Sequence, residues 1–184
     1  MRSMRGQRFL SLLLIISMLL SMFPGTALAA DPVTVISTPE ALAAYSNKSM
    51  SGNFQLGADL DMSGTEMKPI SSLSGSFDGG RHTHFNLTVA GANAGLFSQI
   101  NSGPEVSNLI LKDCDVTSTG TYSSAGTLAG KIYSSATIAN CGVEGGSVEA
   151  PASSYAGGLI GQASYANTVE VANCYSSAAV SGPY

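Results

Sequence analysis

The chain contains no tryptophan, only two histidines and three cysteines, and just 11% charged residues in a length of 184. Each scarcity excludes something. Cys114, Cys141 and Cys174 lie far apart, with no CxxC pair and no adjacent His, whereas zinc needs clustered thiolates or imidazoles. Bases are few and unevenly placed: Arg2, Arg5 and Arg8 fall in the first eight residues, where there is no acid. With those three set aside, five bases face twelve acids, and the formal charge moves from −4 to −7. Nucleic-acid binding is therefore not expected, because phosphate affinity comes from clustered Lys and Arg. There is no H-E-x-x-H and no G-x-S-x-G, so neither a zinc peptidase helix nor a serine nucleophile elbow is encoded. The length suits one domain, or part of a larger one.

What is present begins with an address. The three arginines precede an apolar run from Phe9 to Phe23, followed by Pro24, Gly25 and the triplet Ala27-Leu28-Ala29. This order predicts a secretory signal peptide over 1–29, cut between Ala29 and Ala30. The run is about 15 residues, short of the roughly 20 that span a bilayer, and no second apolar segment follows. The expectation is a secreted or cell-surface protein with no membrane span after cleavage. In an oxidising compartment, three cysteines leave two readings: a disulfide plus one free thiol, or three buried thiols acting as small hydrophobes. The repeat described next favours the second.

Ala94-Gly95-Leu96-Phe97, Ala125-Gly126-Thr127-Leu128-Ala129-Gly130 and Ala156-Gly157-Gly158-Leu159-Ile160-Gly161 start three units, 31 residues apart both times. Each unit then alternates apolar and polar residues into a cysteine: Leu109 to Cys114, Ala136 to Cys141, Val169 to Cys174. Asp113, Asn140 and Asn173 precede the cysteines as one expected corner column, since Asn and Asp tolerate left-handed backbone. Cys114, Cys141 and Cys174 then form an expected inward ladder of small side chains. Ser, Thr and Gly supply 54 of the 155 residues from Ala30 onward, which favours short strands and turns. Such a unit cannot bury its apolar side alone, but stacked copies can.

Ahead of the repeats, Ser37-Thr38-Pro39-Glu40 leads into Ala41-Leu42-Ala43-Ala44, a capped helix start with Pro in the first turn. The reading is thus an all-β chain, a right-handed parallel β-helix or solenoid of about five coils with a short N-terminal capping helix. Its segments are a cap over 30–52, first coils over 53–93, and repeats over 94–124, 125–155 and 156–184.

These residues resemble the GLUG-motif family of bacterial exported proteins. Gly158-Leu159-Ile160-Gly161 matches the naming motif, and Asn173-Cys174-Tyr175 matches a segment that often follows it. Leu60-Asp61-Met62-Ser63-Gly64, Pro69-Ile70, Phe77-Asp78-Gly79 and Asn86-Leu87-Thr88-Val89 are similar to its lead-in. The resemblance implies a right-handed parallel β-helix, and a place in adhesin-like surface proteins or in non-catalytic regions of immunoglobulin-A1 metallopeptidases. The departures are Ser98 for the closing Gly, Thr127 and Ala129 within the second motif, and Arg81 and His84 where Gly and an apolar residue are usual.

Two constellations could carry chemistry. His82 and His84, two apart, would share a strand face and could ligate a metal, but two ligands do not define a site; no metal or cofactor is expected. Asp59 and Asp61 share a face, with Asp78 beyond, and lateral carboxylates could serve a polysaccharide lyase or glycosidase. Turn-forming roles suffice for them, so a non-catalytic module is expected. Tyr122, Tyr133, Tyr155, Tyr165 and Tyr175 recur through the repeats as candidate contacts to a host or cell-surface protein or glycan. The chain reaches Gly182-Pro183-Tyr184 directly after a repeat, so an exposed last coil, pairing with another chain, or a fragment of a longer protein is expected.

Overall fold

The computed structural model describes residues 31–184 except 152–153, 165–167 and 183–184; the predicted signal segment and its cut at Ala29 and Ala30 lie outside the described residues, apart from Asp31 onward. The chain winds through short parallel strands. A first turn contains β1 (Val33–Ile36), helix α1 (Pro39–Ala43) and β2 (Ser49–Met50); a second contains β3 (Asn53–Leu56), β4 (Leu60–Asp61) and β5 (Ser72–Leu73). Three complete coils follow. The first of them has β6 (Ser76–Asp78), β7 (Thr83–Phe85), β8 (Thr88–Gly91), β9 (Asn93–Ala94) and β10 (Phe97–Ile100). The next has β11 (Glu105–Ser107), β12 (Ile110–Lys112), β13 (Asp115–Ser118), β14 (Ser124–Gly126) and β15 (Ala129–Ile132). The last has β16 (Ala136–Ala139), β17 (Gly142–Glu144), β18 (Ser147–Glu149), β19 (Tyr155–Gly157) and β20 (Ile160–Ala163), after which β21 (Val169–Ala172), β22 (Tyr175–Ser176) and β23 (Ala179–Ser181) begin another.

Each strand of a coil lies beside its counterpart in the next, which makes five parallel sheets. Face 1 holds β1, β3, β6, β11, β16 and β21; face 2 holds β4, β7, β12, β17 and β22; face 3 holds β8, β13, β18 and β23. Face 4 holds β9, β14 and β19, and face 5 holds β2, β5, β10, β15 and β20. The molecule is a parallel β-solenoid, as its repeats imply. Its coil count differs slightly from the expected five: face 1 has six rungs, but three coils carry strands on all five faces. The capping helix is also not the first element, because β1 already forms a rung beside β3.

Alternation with period two turns every second residue inward. Face 1 stacks Phe54, Phe77, Val106 and Ile138; face 3 stacks Val89, Val116 and Val148; face 5 stacks Met50, Leu73, Ile100 and Ile132. All of these are buried. Each Val, Leu, Ile or Phe so enclosed is worth about 1.5–3 kcal/mol of apolar burial. On face 4 the column is only Ala94, Ala125 and Ala156, which keeps that side thin. The Gly130 and Gly161 positions explain the motif glycines. A Cβ at Gly161 would lie 2.8 Å from the Ala125 backbone on face 4, and one at Gly130 would lie 2.9 Å from Asn93, so only glycine lets faces 4 and 5 approach this closely.

The five-residue α1 is too short to hold itself. Thr38 caps it, its hydroxyl accepting from the Ala41 N–H at 3.2 Å, and buried Leu42 anchors it. The second turn has no strands on faces 3 and 4; the chain from Met62 to Ile70 crosses that side, with Met62, Met67 and Ile70 buried.

Candidate binding surface on the second face

The corner between faces 1 and 2 is built from left-handed residues: Arg81, Asn108, Asn140 and Asn173 have φ of 64°, 55°, 54° and 54°. Side-chain amides run along this corner. Asn173 Nδ2 donates to Asn140 Oδ1 (3.2 Å), Asn140 Nδ2 to Asn108 Oδ1 (3.3 Å), and Asn108 Nδ2 to Asp78 Oδ1 (3.0 Å). Asp113 is not in this column. It belongs to the next corner, between faces 2 and 3, with Asn86 (φ 57°) and Gly145 (φ 67°). The expected corner column of Asp113, Asn140 and Asn173 is therefore split between two corners.

The cysteines split the same way. Cys141 N–H donates to Cys174 Sγ at 3.4 Å, so these two are neighbours across coils. Cys114 sits at the following corner, and Leu109 occupies the place that Cys141 fills one coil later. Likewise Val106, not Leu111, is the counterpart of Ile138. All three cysteines are free thiols. Burial pushes the Cys114 and Cys141 thiols up to about 11, leaving them protonated and unreactive.

The motif residues meet at the turn from face 4 to face 5. Leu128 N–H donates to the Leu159 carbonyl, and Leu96 N–H to the Thr127 carbonyl. Gly126 ends β14 and Gly95 follows β9 on face 4, while Ile160 and Gly161 open the face 5 strand opposite Ala129 and Gly130. The first unit is one residue shorter here: Ala94 pairs with Ala125 but Phe97 pairs with Ala129. Thr127 is the added residue, and its buried hydroxyl has no hydrogen-bond partner.

The two histidines do not share a face. His82 stands outside, its Nδ1 3.2 Å from Asp59 Oδ1. His84 points into the solenoid between Leu60 and Leu111, fully buried, with neither ring nitrogen hydrogen-bonded. Desolvation lowers it from 6.5 to about 4. Among the described residues, no three His, Cys, Asp or Glu side chains converge as a metal site.

The candidate carboxylates are committed to coil-to-coil bonds. Asp59 accepts from the Thr83 N–H (2.9 Å), which lowers its pKa, helped by His82. Asp61 accepts from Asn86 Nδ2 (3.0 Å) and the Ser63 N–H (2.9 Å), and is lowered chiefly by Asn86. Asp78 accepts from Gly80 N–H, Asn108 Nδ2 and Gln55 Nε2. A glycosidase acid requires a raised carboxyl; Asp59 and Asp61 are shifted the other way.

Outside face 2, two rows of side chains stand side by side. One runs Thr83, Ile110, Gly142, Tyr175; the other runs Asp61, Phe85, Lys112, Glu144. Gly142 leaves room for the Tyr175 ring to lie across its own strand: a Cβ there would sit 2.5 Å from the ring carbon Cζ. Tyr175 Oη donates to Glu144 Oε1 at 2.7 Å, which raises the phenol's pKa. A cleft of about 260 Å³ opens between Arg81, Asn108, Ile110 and Asn140. Phe85, Ile110 and Tyr175 thus lie beside Lys112 and Glu144 on one sheet, with Arg81 at its corner. Of the other tyrosines, Tyr122 and Tyr155 are exposed at 77% and 53%, Tyr133 lies beneath Lys131 Nζ (5.8 Å to the ring centre), and Tyr165 lies outside the described residues. Sequence reading missed Phe85 and Ile110; for Ile110 the signal was an apolar residue at every position of Leu109-Ile110-Leu111, more than one sheet side can bury.

The profile of the M26 IgA1-specific metallo-endopeptidase N-terminal region matches residues 38–145. The chain belongs to this family. The matched segment runs from the N-cap of α1 to the corner after β17, so this M26 N-terminal region includes the solenoid's lead-in and its first complete coils. No curated protein sequence matches the chain. A solved structure from Bacteroides ovatus, named as a candidate immunoglobulin A1 protease, superimposes with a TM-score of 0.62 at 23% identity. The match covers 78% of this chain and 47% of that one, so the chain spans about half the length of that relative. At this identity the likeness shows the fold.

Proposed function

We propose that this M26 N-terminal region is an exported, non-catalytic module that binds a host or cell-surface protein or glycan, or holds a scaffold, at a bacterial cell surface. The observation that carries the reading is the exterior of face 2: a sheet on which Phe85, Ile110 and Tyr175 stand beside Lys112 and Glu144, with Arg81 at its corner across a cleft from Ile110. Aromatic rings with polar tips and a guanidinium are suited to contact surfaces. The carboxylates that a glycosidase acid would need raised are instead bonded across coils and lowered. Export is supported by the n-region, apolar run and small-residue site ahead of Ala30, and by the family. Among the described residues no helix is long and apolar enough to cross a membrane.

The purified chain should be screened on a glycan array, on immobilised immunoglobulin A1 and in glycan-degradation assays. Binding without product, weakened tenfold or more by Tyr175→Ala or Arg81→Ala, is expected. Turnover abolished by Asp59→Ala or Asp61→Ala would overturn the reading.

A further inference from the structure

Because the second turn crosses from Met62 to Ile70 without strands, faces 3 and 4 begin at β8 and β9, one coil later than face 2 and two later than faces 1 and 5. Strand β8 has one neighbour, β13. In a parallel pair, alternate residues turn their backbone N–H and C=O to the same side. The Leu87 and Gly91 carbonyls accept from Asp115 and Thr119 N–H, so Leu87, Val89 and Gly91 address β13. Thr88 and Ala90 address the opposite side, where no strand lies among the described residues.

That side is a walled trough rather than an open edge. Thr88 borders an open cavity of about 630 Å³ lined on its other side by Glu66 and Met67. Ala90 borders two more, of about 450 and 540 Å³, which share Asn47 and Lys68. The far wall is fixed in place: Lys68 N–H donates to Ser46 Oγ (2.8 Å), Asn47 N–H to the Pro69 carbonyl (3.2 Å), and Ser63 N–H to Asp61 (2.9 Å). A preformed wall removes the ordering cost of binding. Along β8, from Thr88 to Gly91, the edge matches an extended segment of about four residues, at roughly 3.3 Å each.

We propose that the free edge of β8 is a docking site for an extended basic peptide segment of a protein partner, which adds a strand to face 3. The backbone of Thr88 and Ala90 supplies the hydrogen bonds, in the manner of strand addition to a sheet edge. Charge selects the occupant. The charged groups around Thr88 are Glu66, Asp113 and Asp115, with no base among them. Lys68 stands at the other end, so the basic side chains of the segment lie toward Thr88. This surface is separate from face 2, and its occupancy does not depend on what face 2 binds.

The test uses the full chain and a fluorescein-labelled peptide of sequence Lys-Val-Lys-Val-Thr-Val. Saturable binding is expected, together with a slowing of amide exchange at Thr88 and Ala90 of tenfold or more by NMR. Ala90→Pro removes an N–H that the ladder to β13 does not use, and proline is tolerated on sheet edges; it should weaken binding at least tenfold. Glu66→Gln with Asp113→Asn and Asp115→Asn should weaken it about tenfold and flatten its salt dependence. A copy of the peptide N-methylated at alternate residues, and one with Glu for Lys, should each bind at least tenfold more weakly to the native chain. The proposal is overturned by no binding at millimolar peptide, by unchanged exchange at Thr88 and Ala90, or by equal binding of the acidic peptide. Should Ala90→Pro lose its native circular dichroism, the N-methylated peptide on the native chain decides, and equal binding by it overturns the proposal.

Discussion

His84 is the residue most at odds with its place. The buried members of its column are otherwise Leu60, Leu111 and Val143, with exposed Ser176 at the far end, and its two ring nitrogens are buried without partners. An unsatisfied buried polar group costs about 1–3 kcal/mol, so His84→Leu is expected to raise stability at pH 7 by roughly 1–2 kcal/mol, read from urea denaturation. The same residue makes the fold acid-sensitive. Folded His84 titrates near 4 against 6.5 for the free side chain, so between those values the unfolded chain holds the extra proton. Stability contributed here is complete above pH 6.5 and falls as pH drops towards 4, by about 3 kcal/mol in all. Asp59 and Asp61 are depressed carboxylates, so their contribution fades only below their ordinary range, in a separate and lower window. His84→Leu should flatten the profile between pH 6.5 and 4; an unchanged slope would place the acid sensitivity elsewhere. Arg81 is a second misfit at residue scale. It holds a φ of 64° in a column where asparagine stands in the next three coils. Left-handed backbone costs an ordinary side chain about 1–2 kcal/mol; Arg81→Asn should recover about 1 kcal/mol of this in the same denaturation assay.

Corners are the elements that define this solenoid, and they also show how far the sequence could be read. The Ala94, Ala125 and Ala156 starts are in true register, because the turn between faces 4 and 5 needs small residues and leaves an identical trace each time. The alternation of apolar residues likewise announced parallel stacked strands. The corners were harder, since a left-handed Asp or Asn followed by a small inward residue serves two successive corners. Asp113-Cys114 and Asn140-Cys141 look alike in sequence while occupying different ones. Spacing held the answer: Cys114 precedes Cys141 by 27 residues, but Cys141 precedes Cys174 by 33. Asn108-Leu109 fits the wider interval and carries no cysteine to draw attention. Burial of His84 was illegible for a related reason, as the left-handed turn at Arg81 resets the alternation that pairs it with His82. The cysteine columns lead to a prediction at this scale. Cys114 and Cys141 are buried and pushed up to about 11, whereas Cys174 is partly exposed. Ellman's reagent at pH 8 should titrate at most one thiol promptly in the native chain, and three after denaturation without reductant. Recovery of a single thiol on denaturation would reveal a disulfide.

At the scale of the whole molecule, the coils widen along the chain. Val33 meets Asn53 after 20 residues, Asn53 meets Ser76 after 23, Phe77 meets Val106 after 29, and Ile138 meets Val171 after 33. The narrow end is plugged by Leu42, Met62 and Met67. At the wide end β21, β22 and β23 are the outermost described strands of their sheets, and their inward residues Val171 and Val180 are 51% and 49% exposed. In a stack, each coil contacts only its neighbours, so stability sums over interfaces rather than over one shared core. A residue flanked on both sides should therefore matter far more than its counterpart with one flank. Ile138 and Val171 are such a pair, in one column and one register. Ile138→Ala should cost about 2–5 kcal/mol, while Val171→Ala should cost well under 1 kcal/mol because half of its surface already meets water. Adding a partner coil would remove the asymmetry. If a second chain or further coil seats on β21 to β23, Val171 becomes enclosed and its truncation should approach the cost at Ile138. Denaturation midpoints for both variants, taken across a hundredfold range of protein concentration, distinguish the two states. A Val171→Ala cost that stays small at every concentration describes an uncovered end; one that grows with concentration identifies self-association through it.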